Sequence, residues 1–179
     1  QGTLELSTVG AGQKLDIMGP LGNGFTLTGK RPILVGGGIG TPPLLALAKA
    51  YNGDCTVILG FRDKNCVILE EDFKKTGAEV FVMTDDGSYG EKGLVTDRLK
   101  KLAGKNRCIK ACGPTPMLKA VARLAAKENI DAELSLEERM GCGVDACLVC
   151  ACKTERGGEQ EFKKVCKDGP VFKSEEVVF

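Results

Sequence analysis

At 179 residues the chain has room for one ordinary domain and a small second one, and its 42% hydrophobic and 27% charged content excludes a disordered polymer. A formal net charge of +1, with no long run of Lys or Arg, leaves no electrostatic footprint for nucleic acid. Nine cysteines and no histidine exclude mixed Cys/His zinc sites, Rieske clusters, Ser-His triads and histidine bases, and the odd count excludes complete pairing within the chain.

No apolar run is long enough to span a bilayer, and no signal peptide is visible. With the cysteine count, this leads to the expectation of a cytoplasmic protein, with no membrane or nucleic-acid partner, in which some thiols bind metal. The first residue is Gln1 and the chain opens in mid-pattern, as a fragment would.

Residues 1–29 carry three short alternating runs, Leu4–Ser7, Lys14–Met18 and Phe25–Leu27, separated by turn signals at 10–12 and 19–24. They predict the last strands of an antiparallel barrel, or a small β-cap on the next domain. Ile33-Leu34-Val35 predicts a buried strand. Gly36-Gly37-Gly38-Ile39-Gly40-Thr41 comes next, with Thr41 as helix cap, Pro42 at the first helical position and a helix to Ala50. Strands at 55–60, 78–84, 107–112 and 130–134 alternate with helices at 70–75, at 96–102 with a Thr96 cap and Gly104 just past its end, and from Pro116 behind a Thr115 cap. This rhythm predicts an α/β unit, 30–134, built on a parallel sheet with helices on both faces. From 135 to 179 the rhythm gives way to a cysteine-rich module.

In such sheets ligands lie beyond the carboxyl ends of the strands. The Gly-rich run, Gly60-Phe61-Arg62-Asp63, Asp85-Asp86-Gly87 and Cys112-Gly113-Pro114 all come after strands and share that edge. The Gly-rich run suits a dinucleotide phosphate, which backbone N–H groups and a helix N-terminus attract. Asp63 suits a ribose hydroxyl and leans the choice towards NAD, whereas Arg62 beside it leans towards NADP.

Cys142, Cys147 and Cys150 stand at C-x4-C-x2-C, with Cys166 further on. That is the plant-type spacing of a [2Fe–2S] cluster, in which thiolates hold both irons. A four-thiolate zinc site is the alternative, although structural zinc usually uses two short C-x2-C pairs. Cys152 competes with Cys150 by proximity, and the spacing favours Cys150. Cys55, Cys66 and Cys108 read as unligated thiols.

Gly36–Pro42 together with Cys112-Gly113-Pro114-Thr115-Pro116-Met117 resembles the pyridine-nucleotide domain of the ferredoxin reductase superfamily. Leu136–Gly143, the cysteine spacing and Val165–Phe172 narrow the resemblance to the electron-transfer subunits of bacterial B-type dihydroorotate dehydrogenases. The resemblance implies a ferredoxin-reductase-type α/β domain preceded by the end of a flavin barrel. It implies FAD contact by Gly2 and Thr3, with Gly19–Gly22 as the barrel's closing turn, although the Arg-Pro-x-Ser flavin signature is absent. Gly36, Gly37, Gly38, Gly40 and Thr41 would hold the NADH pyrophosphate. Phe61 and Arg62 would lie by the adenosine, Asp85 and Asp86 would border the crevice, and Cys112, Gly113 and Pro114, with Met117, would meet the nicotinamide end. Asp145 stands where the family commonly has Gly, and a carboxylate there would lower the cluster potential.

The implied function is a relay with no acid–base residue: electrons from NADH to FAD, to the cluster, then to FMN in a separate catalytic dihydroorotate dehydrogenase subunit. Two copies of each subunit would form a heterotetramer. Alternatives are a reductase subunit of a hydrogenase or sulfide-linked complex, and a non-enzymatic zinc-stabilised interaction module.

Overall fold

The computed structural model describes residues 2–102 and 107–179. Gln1 and Gly104 lie outside the described residues.

Six parallel strands form the main sheet: β1 (Ile33–Gly37), β2 (Thr56–Phe61), β3 (Glu79–Thr84), β4 (Glu91–Lys92), β5 (Ile109–Cys112) and β6 (Ala132–Ser135). Ile33, Leu34, Val35, Val57, Ile58 and Leu59 are all fully buried, so the central strands are continuous apolar runs covered on both faces. Successive side chains pass to opposite sides. Ile33, Val35 and Ile58 pack with Leu99 of α4 (Val95–Leu102) and Leu118 and Val121 of α5 (Thr115–Glu128). Leu34, Val57 and Leu59 pack with Leu44 and Leu47 of α2 (Thr41–Ala50) and Phe73 of α3 (Glu70–Lys75).

The strand order is β4-β3-β2-β1-β5-β6, with a seventh strand, β9 (Val171–Lys173), antiparallel to β6. The chain runs outward from β1 to β4 and returns on the other side of β1 at β5. The sheet therefore has its switch point between β1 and β5.

Expected and observed helix starts differ by one residue at two places. Gly40 and Pro114 are the caps of α2 and α5, so Thr41 and Thr115 are already helical and make no capping bond. At α4 the reach-back comes from Asp97, whose carboxylate accepts the Leu94 N–H at 3.0 Å, and Thr96 is buried in the first turn instead.

Residues 2–31 depart most from expectation. Leu4–Ser7 is not a strand: Gly2–Leu6 form a short helix, α1, that buries none of its residues. No strand forms at 14–18 or 25–27 among the described residues, where the segment makes only an isolated bridge from Asn23 to Pro170. A strand needs a neighbour for its N–H and C=O groups, and alternation alone supplies none. The segment is instead tied down by particular bonds. Thr26 donates from N and Oγ1 to Glu133, Tyr51 donates its hydroxyl to Thr28 O at 2.8 Å, and Arg107 Nε donates to Arg31 O at 2.8 Å.

Beyond β6 an irregular stretch carries the first three cysteines of the run. It leads into a hairpin of β7 (Ala151–Arg156) and β8 (Glu159–Lys164). Its two-residue turn is Gly157-Gly158, with φ of +63° and +87°, which suits the tight turn that matches strand twist.

Candidate functional site

The loops at the switch point are Gly36–Thr41 after β1 and Cys112–Met117 after β5. They lie against each other too closely for side chains. A Cβ on Gly40 would stand 2.3 Å from Cys112 O, and one on Gly37 would stand 2.6 Å from Met117 Sδ. A Cβ on Gly113 would in turn meet Gly37 Cα at 3.0 Å. These glycines are needed for loop-on-loop packing. Gly38 differs: its φ is +52° and a Cβ there would meet nothing within 4 Å, so this is the face open to an incoming group.

Pro42 and Pro43 remove two N–H donors from the first turn of α2. A phosphate would thus rely on the turn Gly38–Gly40, on the helix dipole and on Thr41. The Thr41 hydroxyl is fully buried and has no hydrogen-bond partner. An orphaned buried hydroxyl costs free energy unless an incoming group meets it.

The other nucleotide candidates divide. Phe61 is 5% exposed and packs within the core on the α2 face. Arg62 beside it is exposed. Asp63 accepts the Asn65 N–H at 2.7 Å and starts a local turn, so one oxygen of the expected ribose acceptor is already engaged. Asp85 and Asp86 are exposed at the end of β3. Asp86 accepts from both N and Oγ of Ser88, which hold its carboxyl below the usual range, and Ser88 Oγ accepts from Lys64 N. The loops after β2 and β3 are thereby joined. Cys112 is half-buried and pairs in register with Ser135, and burial pushes its thiol up. Gly2 and Thr3 sit on the exposed α1, where Thr3 O is taken by the Ser7 N–H.

Local structure brings the cysteines together. The hairpin pairs Ala151 with Lys164, so Cys150 and Val165 are the next residues out, and Val165 N donates to Cys150 O at 3.0 Å. Cys166 comes immediately after. Cys150 and Cys166 belong to one buried cluster, and Cys147 reaches Cys142 through its N–H. Cys142 Sγ accepts the N–H groups of Val144 and Cys147, each at 3.4 Å. The Val144 N–H, the Cys147 thiol and the Cys147 N–H bring the Cys142 thiol down to about 7. Among the described residues no three of these side chains stand together as a group that would enclose a single metal ion. The four-thiol set fits a two-iron cluster, in which each iron takes two protein sulfurs. Backbone N–H groups directed at a sulfur favour the thiolate that a metal needs.

Cys152 packs with Cys150, Val165, Cys166 and Phe172, and burial raises its thiol, followed by the charge of Glu138. It is near the centre but outside the C-x4-C-x2-C spacing. The Asp145 carboxylate lies against Lys164 at 2.7 Å and against Lys167, so its negative charge does not stand alone beside the cysteines. Sequence reasoning missed both lysines and also Asn23. Asn23 N donates to Gly169 O, and its amide donates to Lys167 O and Asp168 O, bracing the turn after Cys166. These partners are far apart along the chain, and only the fold makes them neighbours.

A doubly wound nucleotide fold whose last parallel strand runs into a cysteine centre defines a reductase component that handles electrons. Residues 137–178 match the family described as the iron–sulfur cluster binding domain of dihydroorotate dehydrogenase B. The "Dihydroorotate dehydrogenase B (NAD(+)), electron transfer subunit" of Geobacillus sp. is 48% identical over 99% of this chain and 70% of its own length. The protein of the same description from Caldanaerobacter subterraneus subsp. tengcongensis is 46% identical over 100% and 72%. The chain belongs to the family of dihydroorotate dehydrogenase B electron transfer subunits. Among solved structures, an NADH-dependent reduced ferredoxin-NADP oxidoreductase aligns with a TM-score of 0.83 at 36% identity, over 99% of this chain and 65% of that one. A type IV self-sufficient cytochrome P450 monooxygenase shares the fold alone, with a TM-score of 0.51 at 18% identity over 75% of this chain and 24% of that one.

Proposed function

We propose that this chain is the electron-relay part of an NAD-linked dihydroorotate dehydrogenase. NAD(H) is taken at the β1/β5 switch point, and a [2Fe–2S] cluster is held by Cys142, Cys147, Cys150 and Cys166. The partner is an FMN-containing catalytic subunit, two of each forming a heterotetramer. The observation that carries the reading is the C-x4-C-x2-C run at the spacing of a two-iron site, with the Cys147 N–H on Cys142 Sγ and Cys150 packed in one cluster with Cys166. When bound, the nicotinamide and FAD exchange electrons in pairs and the cluster passes them on singly. FAD enters through the family resemblance, and Gly2 and Thr3 lie on an exposed helix.

The residues contribute position and electrostatics. Gly38 leaves the loop open to the pyrophosphate, and the N-terminus of α2 and the Thr41 hydroxyl favour its charge. Cys112 and Ser135 are register partners at the ends of β5 and β6, and the segment holding the cysteines leaves the sheet at Ser135. Nucleotide crevice and cysteine centre thus share one sheet edge. Residues 30–134 supply the first and 135–179 the second, with 1–29 as the remnant of a flavin barrel.

Anaerobic purification followed by iron, zinc and acid-labile sulfide analysis tests the reading. The expected result is a coloured protein with about two irons and two sulfides per chain. A colourless protein with one zinc and no sulfide contradicts it.

A further inference from the structure

The cysteine centre is assembled from two distant pieces: the 142–150 loop and the turn after β8 that carries Cys166. Val165 N donating to Cys150 O joins them at one end. At the other end the join is a single residue, Asp145. Its carbonyl accepts from Lys164 Nζ at 2.8 Å, one carboxylate oxygen meets Lys164 at 2.7 Å, and the other meets Lys167. Lys164 and Lys167 flank Cys166 two residues before and one after. The carbonyl and both carboxylate oxygens of Asp145 therefore all go to the Cys166 turn.

The backbone narrows the choice of residue. Asp145 has φ +68°, a left-handed conformation that Gly, Asn and Asp adopt most readily. Gly would meet that demand without answering the two ammonium groups. Asp meets both demands. The far side of the turn is fixed independently, since Asp168 accepts the Lys164 N–H at 2.8 Å and Asn23 braces Lys167 and Asp168.

We propose that Asp145 is a positioning residue whose ion-pair clamp on Lys164 and Lys167 holds the Cys166 turn against the 142–150 loop, and so sets how firmly the cluster is retained. The proposal rests on the reading of the four cysteines as cluster ligands. Residues that orient metal ligands from outside the first coordination sphere commonly change metal retention by about 10-fold or more when replaced. Both lysines and Asp145 are partly exposed, so the clamp is open to screening by salt.

The test measures iron release from the cluster-loaded chain to a chelator, anaerobically, by the decay of visible absorbance at low and high ionic strength. Wild type is compared with Asp145→Gly and Asp145→Asn, both compatible with the left-handed backbone. Asp145→Gly is expected to release iron about 10-fold faster at low salt. Asp145→Asn, which keeps an oxygen for a lysine, is expected to fall between. Salt should accelerate release from wild type and leave Asp145→Gly unchanged. A loaded wild type whose two variants release iron at its own rate at both ionic strengths overturns the clamp alone. A wild type that contains no iron and sulfide overturns the cluster reading and the clamp with it.

Discussion

Thr41 is the residue at which structure and proposed function can be separated most cleanly. Its hydroxyl is buried and unpartnered, so removing it should not cost stability. Thr41→Val is expected to unfold in urea within about 1 kcal/mol of wild type, while its dissociation constant for NADH rises about 10-fold, equivalent to 1.4 kcal/mol. Unchanged NADH affinity, measured by titration, removes Thr41 from the nucleotide site. The sequence pointed to this residue as a helix cap, which the one-residue shift of α2 denies it. The reason is local: Gly40 is held by its contact with Cys112 and Gly113, and it takes the cap position without offering a side chain. At Phe61, position after a strand says which edge the residue lies on, but the pleat decides which way its side chain points.

At the scale of elements, the β7–β8 hairpin brings Cys150 to Cys166. Gly157 and Gly158 both have positive φ, and a β-branched side chain there costs roughly 1–2 kcal/mol. Gly157→Val is therefore expected to loosen the hairpin and lower the iron content of the purified chain, while urea unfolding of the nucleotide-binding sheet keeps its midpoint. Full iron content in the variant would show that the cluster site does not depend on this turn. The hairpin was legible in principle, since Gly-Gly between alternating runs is a turn signal. It was obscured because its strands are largely polar, Lys153 to Arg156 and Glu159 to Glu161, with Phe162 exposed. The α/β alternation was plainer because buried parallel strands must be continuously apolar. The short runs at 4–7, 14–18 and 25–27 show the limit of pattern: alternation without a neighbour does not make a strand. The Asp145 clamp had no signal in sequence, because its partners lie nineteen and twenty-two residues away, at the end of β8 and in the turn after it.

At the scale of the whole molecule, residues 19–31 strap the cysteine centre and the sheet together. Asn23 holds the turn after Cys166, and Thr26 bonds to Glu133, which pairs with the buried Lys110 at 2.7 Å. Burial pushes the Glu133 carboxyl up, but hydrogen bonds from Lys110 and Thr26 outweigh it and hold the carboxyl below its ordinary 4.5. With the folded value depressed, the unfolded chain binds more protons below that pH. The contribution is complete above about 4.5 and is lost as pH falls through the folded value. Urea unfolding between about pH 6 and pH 3 should therefore show a steeper acid loss of stability in wild type than in Glu133→Gln. At neutral pH the variant should be less stable by about 3 kcal/mol, because Lys110 is left buried without its partner. Parallel pH curves would mean that the pair does not hold the strap to the sheet.

The central claim is that Cys142 with Cys147, and Cys150 with Cys166, hold a two-iron cluster and that Cys152, buried beside them, does not. The most direct measurement is iron and acid-labile sulfide per chain, with the EPR spectrum after reduction, for single Cys→Ser variants at these five positions. Each of the four ligand positions is predicted to lose the cluster or alter its EPR signal, and Cys152→Ser is predicted to keep the wild-type stoichiometry and spectrum. A Cys152→Ser variant that loses the cluster while Cys150→Ser retains it, or zinc in place of iron throughout, would contradict the claim.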